Sequence, residues 1–296
     1  MSNTPGTRIP TFWEEIADVP HELFYVQAGG WRTRVLSAGS GEETIVLLAG
    51  TSGHIEAFAR NVRALADRHR VIAYDFPGHG YTTHATADLE MPQYVEHLRA
   101  LLDELDLRAP TICGESLGGW VAVKFAGDHP ERTGKLILSA PGGHMFPEDR
   151  MLRLRELNER VAAEPGWDAV RERLEVVMHD SGQVSDELIA VRRDIYAQPT
   201  FPRSMQHIMC LHDPEIRYRN RLQDADLERI ECPTLLVWTG NEPAGQDKGR
   251  DMAAKLAKGE FFLIEDAEHW PQWEDPAAFN ERVLRFLDEH GGGAAA

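Results

Sequence analysis

Residues 114–118 read Gly-Glu-Ser-Leu-Gly, between Pro110-Thr111-Ile112-Cys113 and Gly119-Trp120-Val121-Ala122-Val123-Lys124-Phe125-Ala126. The first flank is a short apolar run suited to a buried strand, and the second reads as a buried helix. A serine framed by glycines at such a junction predicts a tight strand-to-helix turn that pushes the side chain outward. The glycines have a steric reason: a backbone turned this sharply leaves no space for a Cβ at either flanking position.

The rest of the chain repeats the alternation. Strand-like runs occur at Ile45–Leu48, Val71–Tyr74, Thr111–Cys113, Leu136–Leu138, Leu235–Trp238 and Phe261–Ile264. Amphipathic stretches lie between them: Val95, Leu98, Leu101, Leu102 and Leu105 share one helical face, as do Phe279, Val283, Phe286 and Leu287. This pattern predicts an α/β fold with a mainly parallel sheet and helices on both sides. Ahead of it, residues 22–37 read as an antiparallel hairpin with Gly29-Gly30 at the turn.

One region breaks the rhythm. From about Met145 to Arg229 no strand pattern appears, only charged amphipathic runs such as Met151-Leu152-Arg153-Leu154-Arg155-Glu156-Leu157, punctuated at Pro165-Gly166 and Pro199. The expected organisation is a core of residues 1–144 and 230–290, a helical cap (lid) of residues 145–229, and a flexible tail at 291–296. A cap could close a desolvated pocket over the serine turn.

Composition narrows the partners. Apolar residues make up 42%, enough for a sizeable core, and no apolar run approaches membrane-spanning length. Met1–Pro10 lacks the basic-then-apolar layout of a signal peptide. A formal charge of −17 argues against nucleic acid and anionic membrane surfaces. Cys113, Cys210 and Cys232 are too few and too scattered for a disulfide framework or a zinc site. The expectation is therefore a cytoplasmic protein with no metal and no cofactor, a small-molecule substrate as partner, and a homodimer as a compatible assembly.

A serine hydroxyl needs a base to take its proton, and the base needs an orienting acid. After such a turn the chain order is serine, acid, histidine. Among 13 histidines, His269 fits the base by position, in the loop Glu265-Asp266-Ala267-Glu268-His269-Trp270 after the last strand-like run. His69 and His129 sit in surface-looking charged segments, and His54 and His144 read as structural. The acid should follow Leu235–Trp238, where Glu242 is the choice and Asp247 the alternative. An oxyanion would be met by two backbone N–H groups, those of Leu117 and of Thr51 in Ala49-Gly50-Thr51-Ser52-Gly53. That glycine-containing loop lacks the lysine of a phosphate-binding loop.

These residues resemble the α/β-hydrolase superfamily over nearly the whole chain, and within it the meta-cleavage product hydrolases, which cut a carbon–carbon bond in ring-opened catechols. The supporting stretches are residues 114–120, Ala-Pro-Gly-Gly at 140–143, Val-Arg-Arg-Asp-Ile-Tyr-Ala-Gln-Pro at 191–199 and His-Trp-Pro-Gln-Trp-Glu-Asp-Pro at 269–276. The resemblance implies an eight-stranded sheet, a Ser116–Glu242–His269 triad, and Arg192 (or Arg193) holding the substrate's carboxylate and 2-oxo group, with Trp270 as pocket wall. A planar guanidinium suits bidentate carboxylate recognition. Three positions depart from the family: Ala49 stands where a histidine is usual, Glu242 where aspartate is usual, and Glu115 where many carbon–carbon hydrolases carry asparagine. Two other readings stay open. A carboxylesterase or lactonase needs the same triad without Arg192, and a non-hydrolytic binding protein can use the same fold.

Overall fold

A computed structural model describes residues 9–291; of the tail expected at 291–296, and of the leading Met1–Pro10, the remainder lies outside the described residues. The chain enters through a short helix, α1 (Phe12–Glu15), capped by Thr11, whose side chain accepts from the Glu14 amide. Strands β1 (His21–Ala28) and β2 (Trp31–Ala38) then form an antiparallel hairpin in which Ala28 faces Trp31. Gly29 and Gly30 take φ of 58° and 86°, the left-handed pair that a two-residue hairpin turn demands.

Six further strands complete the sheet: β3 (Thr44–Leu48), β4 (Arg70–Tyr74), β5 (Thr111–Glu115), β6 (Lys135–Ser139), β7 (Thr234–Thr239) and β8 (Gly259–Ile264). Their spatial order is β1-β2-β4-β3-β5-β6-β7-β8. Pairing is antiparallel for β1–β2 and β2–β4 and parallel elsewhere. β5 and β7 are buried along their whole length, which is why their sequences read as unbroken apolar runs rather than alternation.

Helices α2 (Ala59–Ala66), α3 (Met91–Glu104) and α4 (Leu117–Asp128) cross between the strands. After β6 come α5 (Glu148–Ala163), α6 (Trp167–Glu175), α7 (Asp186–Tyr196), α8 (Phe201–Ile208) and α9 (Pro214–Asn220). α10 (Asp224–Glu228), α11 (Gln246–Lys255), α12 (Pro271–Glu274) and α13 (Pro276–Glu289) follow. α3, α4, α10 and α11 pack side by side, while α2 and α13 pack together as a second layer. Each amphipathic face read from sequence is the buried one: Leu98, Leu101 and Leu102 of α3, and Phe279, Val283, Phe286 and Leu287 of α13.

β6 and β7 are parallel neighbours, yet six helices, α5–α10, lie between them along the chain; α10 packs on α4 and α11, and the first five, α5–α9, form an insertion. This insertion is tied to the sheet unit at several points. Trp120 donates its indole N–H to the Asn220 carbonyl (3.1 Å), Ser204 bridges Gly78 and Ala85, and Trp273 donates to the Gln183 carbonyl (2.9 Å).

A buried ionic cluster joins β2, β4 and the turn after β3. Arg34 pairs with Glu56 (2.5 Å) and Asp75 (3.3 Å), and His54 meets Glu56 at 2.8 Å. Burial opposes the Glu56 charge, but His54 and Arg34 together hold its carboxyl well below the ordinary range. One expectation is corrected here. His69 is buried, not superficial, because the backbone at Gly39 and Gly41 closes over Arg68 and His69 where α2 turns into β4.

Candidate active site

β5 ends at Glu115, α4 begins at Leu117, and Ser116 alone makes the turn, with φ 51° and ψ −110°. That backbone is strained for a residue bearing a Cβ, at a cost of about 1–3 kcal/mol. It is held by Ser116 N–H donating to the Ser139 carbonyl (3.0 Å) and by the Gly142 amide donating to the Ser116 carbonyl (2.7 Å). Both flanking glycines are required. A Cβ on Gly114 would lie 2.3 Å from the Gly118 backbone, and one on Gly118 would lie 2.1 Å from the Leu48 carbonyl oxygen.

The loops after β7 and β8 are locked together. The Asn241 amide donates to the Ala267 carbonyl (3.2 Å), and Thr239 donates its hydroxyl to the Glu268 carbonyl. At Gly240 a Cβ would meet the Glu265 carbonyl at 2.2 Å, so only glycine lets the loops approach. This contact brings Glu242 to His269: Nδ1 stands 2.8 Å from Glu242 Oε2, and Nε2 stands 2.9 Å from Ser116 Oγ. Burial disfavours the charged imidazole, but the charge and hydrogen bond of Glu242 more than reverse that, raising its pKa to about 9. Asp247 is exposed in the first turn of α11.

Leu117 occupies the first position of α4, where an amide has no carbonyl one turn back to bond. It lines the same cavity as Gly50, Thr51 and Ser116. Glu115 lines it too, fully buried, with one oxygen 3.7 Å from His269 Nε2 and neither oxygen in a hydrogen bond. Its carboxyl rests where a Cβ of residue 50 would stand, 2.4 Å from that position, so Gly50 admits it. Burial dominates and pushes the Glu115 pKa up to about 7, even against the opposing charge of His269.

The insertion supplies the remaining walls. Arg192 on α7 is 1% exposed, its Nε and Nη2 without partners, and its guanidinium lies 5.7 Å from the Trp270 ring. Arg193 turns the other way, exposed and donating to the Pro165 carbonyl (3.0 Å). Thus Ser116, Glu242, His269, Leu117, Thr51, Arg192 and Trp270 meet at one cavity, and Asp247 and Arg193 do not. Sequence reasoning missed Arg173, Arg217 and His212, which also line it. In a segment full of exposed arginines nothing local marked the two that turn inward. His144 reaches the wall as well, where burial pushes it down to about 4, so it stands neutral. Among the described residues no group of three or more His, Cys, Asp or Glu side chains is placed to hold a metal, and no helix is long and apolar enough to cross a membrane.

A family model described as alpha/beta hydrolase fold matches residues 43–276. A protein of Paraburkholderia phymatum named 2-hydroxy-6-oxononadienedioate/2-hydroxy-6-oxononatrienedioate hydrolase is 30% identical over 281 residues, covering 89% of this chain and 94% of its own length. A protein of the same name from Cupriavidus pinatubonensis is 29% identical, covering 87% and 91%. Among solved structures, the meta-cleavage product hydrolase CumD of Pseudomonas fluorescens IP01 superposes with a TM-score of 0.77 at 23% identity, covering 90% of this chain and 97% of its own. The 2-hydroxy-6-oxo-6-phenylhexa-2,4-dienoate hydrolase BphD of Rhodococcus sp. strain RHA1 gives 0.77 at 20% identity, covering 91% and 99%. At these identities the structures speak for the fold.

Proposed function

Because this chain belongs to the alpha/beta hydrolase fold family, we propose that it is a serine-dependent hydrolase cleaving a carbon–carbon bond in a 2-hydroxy-6-oxo-dienoate, the class of a meta-cleavage product. The observation that carries the reading is Arg192, a buried cation with two unpartnered nitrogens in the cavity that holds Ser116. Ester cleavage needs the triad alone, whereas a carbon leaving group needs its charge spread onto a conjugated oxo group, with a cation to hold that end.

Each residue then has a task. Arg192 takes the carboxylate and 2-oxo group, and the dienol ketonises, losing its O–H proton and gaining one at the carbon next to the distal ketone, so that the electrons of the bond to be cut can spread through the alkene onto the 2-oxo group. His269 accepts the Ser116 proton as Oγ attacks the distal ketone, and Glu242 steadies the imidazolium. The amides of Leu117 and Thr51 meet the oxyanion. Collapse expels the carbon fragment, which takes a proton, and water then releases the acyl group from Ser116. Helices α5–α9 act as the cap that keeps this cavity dry. The buried Cys113 and Cys210, unpaired like Cys232, fit a reducing cytoplasm.

The test is a panel of ring-fission dienoates against simple esters, followed by absorbance, with wild type and Ser116→Ala. Dienoate turnover should fall by at least ~10³-fold in Ser116→Ala. Ester turnover without any dienoate turnover would make the protein a carboxylesterase or lactonase; unchanged turnover in Ser116→Ala would remove the nucleophile.

A further inference from the structure

Of the carboxyl side chains buried among the described residues, Glu56 and Asp75 pair with Arg34, Asp226 with Lys124 (2.7 Å), and Glu242 with His269. Glu115 is buried completely and has no side-chain partner within hydrogen-bond distance. The nearest ionisable group is His269, whose Nε2 stands 3.7 Å from its Oε1. A buried polar group left unsatisfied is costly and calls for a reason. The roles of nucleophile, base and orienting acid leave Glu115 without a task.

Its surroundings place it along the substrate. Glu115 ends β5, one residue before the nucleophile, and lines the cavity, where Gly50 leaves room for its carboxyl. The charges that bear on it are His269 and Glu242, from the loops after β8 and β7, and Arg192 of α7; the Gly50 amide bears on it too. Arg173 of α6 and the Cys113 thiol of β5 feel its charge in turn. Ser116 Oγ, 2.9 Å from the same His269 Nε2, attacks the distal ketone, while Arg192 holds the 2-oxo end. A carboxyl that meets both His269 and Arg192 faces the carbons between those two ends. Burial pushes its pKa up to about 7, so near neutral pH it carries a proton that it can release, as a general acid must.

We infer that Glu115 is the acid of the ketonisation step, delivering its proton to the carbon next to the distal ketone. The inference rests on the carbon–carbon hydrolase reading for the identity of the substrate. In this step the Glu115 O–H bond breaks and a C–H bond forms. The enol O–H proton passes to water, its electron pair becomes the 2-oxo π bond, and the conjugated double bonds shift by one place. The carboxylate left behind recovers a proton from His269 after His269 has taken one from Ser116. That transfer leaves His269 neutral, ready to act as base toward the water that releases the acyl group. The expelled dienolate is reprotonated on oxygen by water, so no proton is gained or lost over the cycle at Glu115 or His269.

Removing acylation isolates the step. In Ser116→Ala the dienol chromophore of a ring-fission dienoate should still decay, followed by stopped-flow absorbance at pH 7. Adding Glu115→Gln, which keeps the shape without a transferable proton, should slow the decay about 10²- to 10⁴-fold, and Glu115→Asp should restore part of it. With Glu115 present the decay should weaken as rising pH strips the carboxyl of its proton, a limb that Glu115→Gln should lack.

A merely structural role is read separately, with Ser116 intact. Glu115→Gln should react with a fluorophosphonate at Ser116 at least as fast as wild type, because Glu115 raises the His269 pKa and its loss leaves more base neutral. If Glu115→Gln loses both decay and labelling, Glu115→Asp decides: normal labelling with reduced decay supports the acid, and loss of both overturns it. No decay in Ser116→Ala, or decay in Ser116→Ala/Glu115→Gln within about threefold of Ser116→Ala, also overturns the inference. Ketonisation that needs Glu115, in a wild type that never cleaves a dienoate, removes only the hydrolase reading. Dienoate cleavage with ketonisation unimpaired in Glu115→Gln removes only this inference.

Discussion

Glu115 is the residue whose chemistry differs most from what its exposed-looking letter suggests. A fully buried carboxyl pays for its charge in desolvation, and beside His269 and the Gly50 amide burial still outweighs what favours ionisation. Burial raises its pKa from 4.5 to about 7, so the folded chain holds a proton there that the unfolded chain releases. Stability is then unpenalised below pH 4.5, falls as pH rises, and loses about 3 kcal/mol by pH 7 and above. Glu115→Gln should remove that slope and be the more stable protein at pH 8, with little difference at pH 4; urea midpoints at the two pH values measure it. Equal midpoint differences at both would show that the carboxyl is not held neutral. His269 has the opposite arrangement. Glu242 raises it above the ordinary 6.5, and a base must be neutral to accept the serine proton, so kcat/KM should fall with decreasing pH along a limb above 6.5. In Glu242→Gln burial loses its main opponent, with Glu115 still raising and Arg173 lowering the imidazole, and the limb should move to lower pH along with a loss of rate. A limb that stays in place would detach Glu242 from His269.

At the scale of elements, the site is a set of close approaches that only particular residues allow. β5, Ser116 and α4 form a turn that Gly118 closes against the Leu48 carbonyl of β3. Gly118→Ala should destabilise the protein by about 3 kcal/mol or more, because the obstacle is backbone at 2.1 Å and not a movable side chain. The readout is the denaturation midpoint, and a wild-type value would mean that the turn relaxes at little cost. Most of these elements were legible in the sequence. The β3–β7 runs were visible because strands covered on both faces are apolar throughout, and α3 and α13 because their apolar residues recur on one face. The turn at Ser116 was legible because steric exclusion acts on neighbouring residues. His69 misled, since its burial comes from Gly39 and Gly41, about 30 residues earlier in the chain.

At the scale of the whole molecule, the insertion α5–α9 is joined to the sheet unit through Trp120–Asn220, Ser204–Gly78 and Trp273–Gln183, and its apolar side is continuous with the main core. That continuity predicts one cooperative unfolding transition. Far-ultraviolet circular dichroism and tryptophan fluorescence, which samples Trp167 in the insertion as well as Trp238 in β7, should give superimposable curves. Two separated transitions would mean that the insertion melts by itself.

By itself the sequence determined what neighbouring residues settle among themselves: the strand–turn–helix at Ser116 and the alternation that builds a mostly parallel sheet. These depend on sterics and periodicity within a few residues. Only the tertiary structure decided between Glu242 and Asp247 as the partner lying against His269, and between Arg192 and Arg193 as the cation facing the cavity. It alone brought Arg173 and Arg217 to that cavity and left Glu115 without a hydrogen bond. Such choices depend on loops and helices tens of residues apart meeting in space, and charge, burial and pKa belong to that meeting, not to the letter at each position.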